Sequence, residues 1–506
     1  LIIFDNQAQN VDVIKYVEQN EIDSVYHFIQ EGNDINGIYP RYSLLELAIR
    51  YNQIDIVKLL LNHHVDVNRQ NNRTSPLYIS VIYGDYYQSN DILSLLVNQE
   101  ADINFKGLNG LTPFVLACKI SNAPAAKLLY EKGADYSIDD QRGNDFFYYV
   151  LRGSDLELIQ YFVSKGFEIP RMSSIQDGPY LMWENDKVLD INYMRYDSLS
   201  DHAEWTSTKV DLDEDDPPPF LETINLKEEE KKNPENVEWE FKNVKEIFVV
   251  SDIHGHFKNL VEILKNTKVI DDELNWSWGK GHLVICGDVF DRGDQVTECL
   301  WLIYKLEKQA EIAGGKVHYI LGNHELMLLK DNDKSYTNDK YILPFAKSGL
   351  DYHDLFENNY ELGRWIRTKN VVEKINNLLF VHGGIPPEFV GIGQTIENMN
   401  QLIHIYLSEN SDSIQLLNNI AIQPTWYRGY FDNIDHSAEI KNVLDYYDVK
   451  NIIVGHTPIN KVKFIQDGTV IGVGVHFGEP GVPAEGLMIR NKDFYRVDEN
   501  GHEEKL

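Results

Sequence analysis

Gly287-Asp288-Val289-Phe290-Asp291-Arg292-Gly293 follows directly on the apolar run His282-Leu283-Val284-Ile285-Cys286. A strand-like segment that ends in a carboxylate-rich turn sets the reading of the whole second half. Four more runs share the layout. Glu246-Ile247-Phe248-Val249-Val250 leads into Ser251-Asp252-Ile253-His254-Gly255, and Lys316-Val317-His318-Tyr319-Ile320-Leu321 into Gly322-Asn323-His324-Glu325. Asn377-Leu378-Leu379-Phe380-Val381 leads into His382-Gly383-Gly384, and Asn451-Ile452-Ile453-Val454 into Gly455-His456. By length and composition all five runs read as buried strands. Helical stretches at 259–265 and 296–308 separate several of them, so a layered α/β domain is expected. In such sheets ligands gather beyond the carboxyl ends of the strands, which is where all five motifs fall.

Each motif taken alone also occurs in ordinary turns; their order along the chain is what carries weight. Oxygen and nitrogen donors without thiolate suit Mn, Fe, Zn or Mg better than copper or an iron–sulfur cluster. Two such ions about 3.5–4 Å apart can activate a shared water and hold both oxygens of an in-line displacement, the chemistry of phosphate-ester hydrolysis.

Gly-Asp-x-x-Asp-Arg-Gly at 287–293, Gly-Asn-His-Glu at 322–325 and His-Gly-Gly at 382–384 resemble the metal-dependent phosphoprotein phosphatases, which are calcineurin-like metallophosphoesterases. Leu362-Gly363-Arg364-Trp365-Ile366-Arg367 and Trp426-Tyr427-Arg428-Gly429-Tyr430 are similar to the bacterial-type, Shewanella-like branch. The resemblance covers about residues 245–490 and implies a central β-sandwich. It implies that Asp252, His254 and Asp288 hold one divalent ion and that Asp288, Asn323, His382 and His456 hold the other, with Asp288 as the bridge. Mn2+ is the expected metal, with Fe or Zn as alternatives. The implied reaction is attack on a phosphomonoester by a hydroxide between the ions. His324 would protonate the leaving oxygen and Asp291 would orient its ring. Arg292 and Arg428 would grip the phosphoryl oxygens, for which the planar guanidinium fork is suited. Ser251 stands where the family commonly has glycine. His282, His318, His353, His404, His436 and His476 lack such context and are expected at the surface or as satisfied core residues; His476 is given no role.

In the first third a phrase recurs about every 33 residues, one of the helical-repeat periods. It appears as Asp34-Ile35-Asn36, Asp66-Val67-Asn68, Asp102-Ile103-Asn104 and Ala134-Asp135-Tyr136. Turns such as Thr74-Ser75-Pro76-Leu77 and Leu111-Thr112-Pro113-Phe114 precede apolar helix patterns, and the third unit carries extra residues near 85–90. These features resemble ankyrin repeats over about residues 10–169. Such units bury their apolar faces only against one another and stack into a solenoid, implying a protein-docking surface, with Tyr78, Tyr83, Tyr86 and Tyr87 as candidate contacts or partly buried core.

Three domains are thus expected: an ankyrin solenoid at 1–169, a connecting segment at 170–244, and a catalytic α/β domain at 245–506, giving an α + α/β chain. The connecting segment holds an acidic run at 211–216, three prolines at 217–219 and a Lys/Glu block at 227–232, the composition of a solvated linker. Ahead of these, 178–183 and 188–194 flank Glu184-Asn185-Asp186-Lys187 as a two-strand hairpin.

The chain carries 79 acidic against 47 basic residues, a net charge of -32, which repels nucleic acid and anionic membrane. Cys118, Cys286 and Cys299 have neither disulfide nor metal-finger spacing, which suits a reducing compartment. No run reaches the roughly 18 apolar residues of a membrane span, and 1–10 lacks a secretory layout. The expectation is a cytoplasmic two-metal phosphatase acting on phosphoproteins at Ser/Thr and/or Tyr, with the ankyrin array recruiting substrate or a regulator. Two alternatives stand beside it: a hydrolase of dinucleoside polyphosphates, and an ankyrin scaffold with a vestigial phosphatase domain. The last residues, 503–506, are expected to fray.

Overall fold

The fold is given by a computed structural model that describes residues 13–39, 41–153, 155–213, 221, 238–330, 332–408, 415–432, 434–478 and 481–506. The chain divides into two compact units, Leu1–Ile169 and Pro170–Leu506.

The first unit is built of helix pairs. Its named helices are α1 (Ile22–Gln30), α2 (Leu44–Arg50), α3 (Ile54–Asn62), α4 (Pro76–Tyr86), α5 (Asp91–Val97), α6 (Pro113–Lys119), α7 (Ala123–Glu131), α8 (Phe146–Arg152) and α9 (Leu156–Ser164). The first helix of four successive pairs is capped by a side chain. Ser43, Ser75, Thr112 and Asp145 each accept a hydrogen bond from a backbone N–H three residues on, satisfying a donor the helix itself cannot. Helix α4 has 11 residues where α2, α6 and α8 have 7, so part of the extra sequence near 85–90 is spent on about one more helical turn.

The recurring Asp-x-Asn phrase has a structural cause. Asp34, Asp66 and Asp102 each accept from the backbone N–H of the residue two ahead, at 2.9, 2.9 and 3.0 Å, which folds the turn. The asparagine then reaches the next unit: Asn36 Oδ1 accepts from Asp66 N at 2.8 Å, Asn68 Oδ1 from Asp102 N at 2.6 Å, and Asn104 Oδ1 from Asp135 N at 2.9 Å. Of the tyrosines singled out in the sequence, Tyr78 is buried core, whereas Tyr86 and Tyr87 are exposed.

The second unit opens with three antiparallel strands, β1 (Ile175–Trp183), β2 (Val188–Asp197) and β3 (His202–Asp211). The expected hairpin is β1 and β2; β3 is an addition that its largely polar sequence concealed. The proline run and the Lys/Glu block lie outside the described residues. The core is a sandwich of two six-stranded sheets. Its strands are β4 (Glu240–Phe241), β5 (Glu246–Val250), β6 (His282–Cys286), β7 (Lys316–Ile320), β8 (Val372–Ile375), β9 (Leu378–Val381), β10 (Asn451–Val454), β11 (Lys463–Ile465), β12 (Val470–Gly472), β13 (Glu485–Arg490), β14 (Asp493–Asp498) and β15 (Glu503–Lys505). The sheet orders are β11-β12-β10-β9-β8-β4 and β15-β14-β13-β5-β6-β7. The last residues, expected to fray, instead pair with β14 as an edge strand.

Period-two alternation sorts the strand residues between two cores. Ile247, Val249, Val284, Cys286, Phe380 and Ile453 belong to the cluster between the sheets, while Phe248, Val250, Leu283, Ile285, Leu379 and Ile452 join the larger cluster formed with the helices. Both faces are therefore covered, which is why these strands read as unbroken apolar runs. Near the amino end of β6, the half-buried His282 meets the buried His318: their ring nitrogens lie 2.8 Å apart, and His318 Nδ1 lies 2.5 Å from Glu373 Oε2.

Helices α10 (Phe257–Asn266), α11 (Val296–Ala313), α12 (Asn323–Leu329), α13 (Asp339–Ser348) and α14 (Glu361–Arg367) follow strands or loops of the second unit. The β1–β3 sheet packs on α11, α13 and α14. Trp301 Nε1 donates to Pro179 O at 2.9 Å, and Trp183 Nε1 donates to Glu361 Oε2 at 2.6 Å. Among the described residues no helix is long and apolar enough to cross a membrane.

Candidate metal centre

The parallel strands β5, β6 and β7 end together, as do β9 and β10, and the five motifs leave the sandwich at these ends. The turns are sharp. Asp252, His254, Asp288, Asp291, Arg292 and His456 all have positive φ, between 48° and 71°, a conformation that non-glycine residues adopt at a cost. Gly287 and Gly322 are fixed by space: a Cβ on Gly287 would strike the His382 ring, and one on Gly322 would strike the Asp288 carboxylate.

The structure brings the six expected ligands together. Asp288 lies at the centre, with Oδ2 3.1 Å from His382 Nε2, 3.8 Å from His254 Nε2 and 3.9 Å from His324 Nε2. His382 Nε2 is also 3.3 Å from Asn323 Oδ1. His456 joins Asp288 and His382 in one group whose ligand atoms lie within 4.8 Å of one another, and Asp252, His254 and His476 form another. Backbone carbonyls set the ring orientations: His254 Nδ1 donates to Phe290 O at 2.8 Å and His382 Nδ1 to Cys286 O at 2.7 Å, leaving each Nε2 to face the cluster. Ser251 Oγ lies 2.6 Å from Asp252 Oδ2 and 2.8 Å from Cys286 O, so the serine that departs from the family pattern helps to orient the first aspartate.

This donor set fits divalent cations. Asp252 Oδ1 and His254 Nε2 are buried without a hydrogen-bond partner. Burial alone would raise the Asp252 pKa, but the His476 and His382 imidazoles outweigh it and bring it to about 2. Burial likewise works against ionisation of Asp288, yet His382 and His324 hold it well below the usual carboxylate range. Burial lowers His254 and His456 to about 3, so both rings are neutral. His382 is the exception. Burial pulls its pKa down but Asp288 pushes it up to about 9, so a proton on His382 supplies positive charge among the carboxylates. Two ionised carboxylates, Asp252 and Asp288, beside the neutral imidazoles of His254 and His456 make a donor set of the kind divalent metal ions take.

Next to the ligands, His324 Nδ1 donates to Asp291 Oδ2 at 2.6 Å. Burial lowers the His324 pKa, but the Asp288 and Asp291 carboxylates more than compensate and the net shift is upward. Arg292 Nη1 donates to His476 Nδ1 at 3.1 Å, and Arg428 Nε donates to His456 Nε2 at 2.8 Å. Each expected phosphate arginine therefore rests on an imidazole at the rim of the cluster.

Sequence reasoning gave no role to two residues of this site. His476 accepts from Arg292 through Nδ1, so its neutral form carries the proton on Nε2, 3.4 Å from Asp252 Oδ1. The available signal was glycine spacing, since a Cβ on Gly474 would press on Thr457 O, the mark of a loop held against the His456 turn. Glu325 is fully buried and accepts from the backbone N–H groups of Gly322, Asp288, Val289 and Phe290 at 2.6, 3.0, 2.7 and 3.4 Å, and from Tyr319 OH at 3.0 Å. It ties the second and third ligand turns together.

Residues 245–460 match the calcineurin-like phosphoesterases, and 13–106 and 86–173 match ankyrin repeats (3 copies). An uncharacterised protein of Schizosaccharomyces pombe is 31% identical over 240 residues, 44% of this chain and 70% of that protein. The crystal structure of a cold-active protein-tyrosine phosphatase of a psychrophile, Shewanella sp., matches with a TM-score of 0.58 and 31% identity, covering 66% of this chain and 99% of that one. The chain belongs to the calcineurin-like phosphoesterase family. Shewanella-like protein phosphatase 1 of Plasmodium berghei is 31% identical over 235 residues, 44% of this phosphoesterase and 63% of that protein. The phosphoesterase is thus a hydrolase of the phosphatase type with ankyrin repeats ahead of its α/β fold, and its family holds divalent metal ions of the kind the clustered ligands fit.

Proposed function

We propose that the second unit hydrolyses phosphomonoesters on phosphoproteins and that the ankyrin array recruits the substrate or a regulator. The observation that carries the reading is the hydrogen-bonded His324–Asp291 pair beside a cluster of six metal-ligand side chains. Asp252, His254 and Asp288 would hold one divalent cation, and Asp288, Asn323, His382 and His456 the other; Mn2+ is the first candidate, with Fe or Zn as alternatives. When bound, such ions lower the pKa of a water and neutralise charge that develops on the phosphoryl group. Arg292 and Arg428 orient the phosphoryl oxygens. His324 gives its Nε2 proton to the oxygen that leaves phosphorus, while Asp291 holds the ring through Nδ1 and stabilises its charged form. Three buried free thiols support a reducing, cytoplasmic setting.

An aromatic wall stands beside the acid. The Tyr336 ring is 5.2 Å from that of His324 at 69°, and the Arg292 guanidinium is 6.0 Å from its centroid. Tyr336 is 44% exposed, enough to meet a substrate ring, which together with the tyrosine phosphatase named in the Shewanella structure supports phosphotyrosine among the substrates.

The test is a panel of phosphoserine, phosphothreonine and phosphotyrosine peptides with a dinucleoside tetraphosphate, assayed with Mn2+ and with chelator. Release of phosphate from peptides, abolished by chelation, is expected; cleavage of the dinucleotide alone would overturn the reading. Asp291→Asn and His324→Asn are expected to lower kcat by about 10²–10⁴-fold, the usual share of a general acid, with metal content per chain unchanged. Deleting residues 1–169 should spare activity on a small aryl phosphate and reduce it on the physiological phosphoprotein, because tethering supplies effective concentrations of about millimolar. Equal loss on both substrates would remove the recruitment role.

A further inference from the structure

We propose that Thr337 is a positioning residue for the proton transfer, acting through Asp291 from a strap at 333–340 that clasps the Asp291–Asp294 loop; this rests on the acid role given above to His324. The Asp291 carboxylate is shared between two partners. Oδ2 takes the His324 Nδ1 hydrogen at 2.6 Å, and Oδ1 takes the Thr337 hydroxyl hydrogen at 2.7 Å. Thr337 is buried, at 4% exposure, so water does not compete for that oxygen. Without the hydroxyl the carboxylate could rotate about its Cβ–Cγ bond, and the plane of the His324 ring would turn with it.

The strap also holds the backbone in a conformation the chain would not adopt unaided. Asp291 and Arg292 are consecutive residues at φ of 71° and 64°, which costs on the order of 1–3 kcal/mol each unless the surroundings impose it. Arg292 N donates to Tyr336 O at 2.9 Å, and Asn338 Nδ2 donates to Arg292 O at 2.8 Å. Both peptide groups of the phosphate arginine are thereby fixed to the strap on either side of Thr337.

The ends of the strap are fastened by buried ion pairs. Lys334 Nζ lies 2.6 Å from both Asp351 oxygens at 3% side-chain exposure. Lys340 Nζ donates to Asp294 O at 2.6 Å and lies 2.8 Å from Asp177 Oδ1 on β1. Thr297 Oγ1 donates to the other Asp177 oxygen at 3.1 Å. A continuous path runs from the β1–β3 sheet through Lys340 and the strap to Thr337, Asp291 and the acid. The sheet that precedes the sandwich is on this account part of the catalytic apparatus.

Leaving-group dependence separates positioning from general damage. As the P–O bond breaks and a water oxygen takes its place, the departing oxygen needs a proton only when its own conjugate acid is weak. p-Nitrophenolate leaves without help; phenolate does not. Thr337→Val, which keeps the side-chain shape, is expected to lower kcat on phenyl phosphate by about tenfold or more while changing it less than about twofold on p-nitrophenyl phosphate. Thr337→Ser should restore the phenyl phosphate rate, and Thr337→Ala should behave as Val, so the outcome does not hang on one variant folding. Asp291→Asn is run beside them. If Asp291→Asn is selective for the poor leaving group and the Thr337 variants are equally impaired on both substrates, or on neither, this inference falls while the acid reading stands. If Asp291→Asn is itself unselective, the acid reading falls and takes this inference with it.

Discussion

Asp288→Asn is expected to give a folded chain that holds little or no metal and is slowed by at least about 10³-fold, since a metal centre supplies several kcal/mol of transition-state stabilisation and each 1.36 kcal/mol is tenfold. The reason is position. One oxygen of Asp288 faces His254, His382 and His324, and the other accepts from His324 N at 3.1 Å. An amide of the same shape removes the charge shared by both ligand groups and can turn an NH2 toward imidazole nitrogens that need a cation. Mutation of a ligand at the edge of the cluster, such as Asp252, should by contrast empty one group more than the other. Metal content by elemental analysis, read beside kcat on an aryl phosphate, makes the comparison. A variant that retains two equivalents of metal and activity within tenfold of wild type would dismiss Asp288 as the bridge.

Glu325→Ala should unfold the catalytic unit more readily than any change at the ligands. Its carboxylate satisfies four backbone N–H groups and a tyrosine hydroxyl, all buried, and truncation leaves these donors without partners. At about 1–3 kcal/mol for each unsatisfied buried group, with some relief from entering water, a loss of about 5 kcal/mol is expected. All eight tryptophans (183, 205, 239, 276, 278, 301, 365 and 426) lie in the second unit. Their fluorescence therefore reports its unfolding in the full chain without interference from the ankyrin helices. Glu325→Gln keeps one acceptor oxygen but turns amide hydrogens toward other donors, so its denaturant midpoint should lie between Ala and wild type. Midpoints unchanged to within the error of the measurement would mean that the turns hold their shape by other means.

What the sequence discloses and what it hides follow one division. Strands β5, β6, β7, β9 and β10 announce themselves because both faces are covered, which leaves an apolar run ending at a ligand. The clustering of Asp252, His254, Asp288, Asn323, His382 and His456, the proposed ligands, is legible for a related reason: each follows a strand end, and the strand order brings those ends together. Strand β3 is hidden because His202-Ala203-Glu204-Trp205-Thr206-Ser207-Thr208 is largely exposed on an outer sheet and carries little apolar pattern. The hairpin of β13 and β14 escapes because five of the six residues of β14 are only partly buried. Glu325 and Thr337 are illegible for another reason: their partners are backbone groups or a carboxylate distant in sequence, and a residue that serves another residue leaves no chemical signature of its own. The 333–340 strap is found only when the chain is folded.

The asparagine rungs of the ankyrin unit bear on how such a chain changes over time. Three successive joints use the same two residue types in the same relation, so duplicating or excising a unit of about 33 residues between them presents no new surface to be fitted. A lineage can thereby lengthen or shorten its grip on other molecules in fixed increments by recombination alone, leaving the hydrolytic machinery encoded downstream untouched.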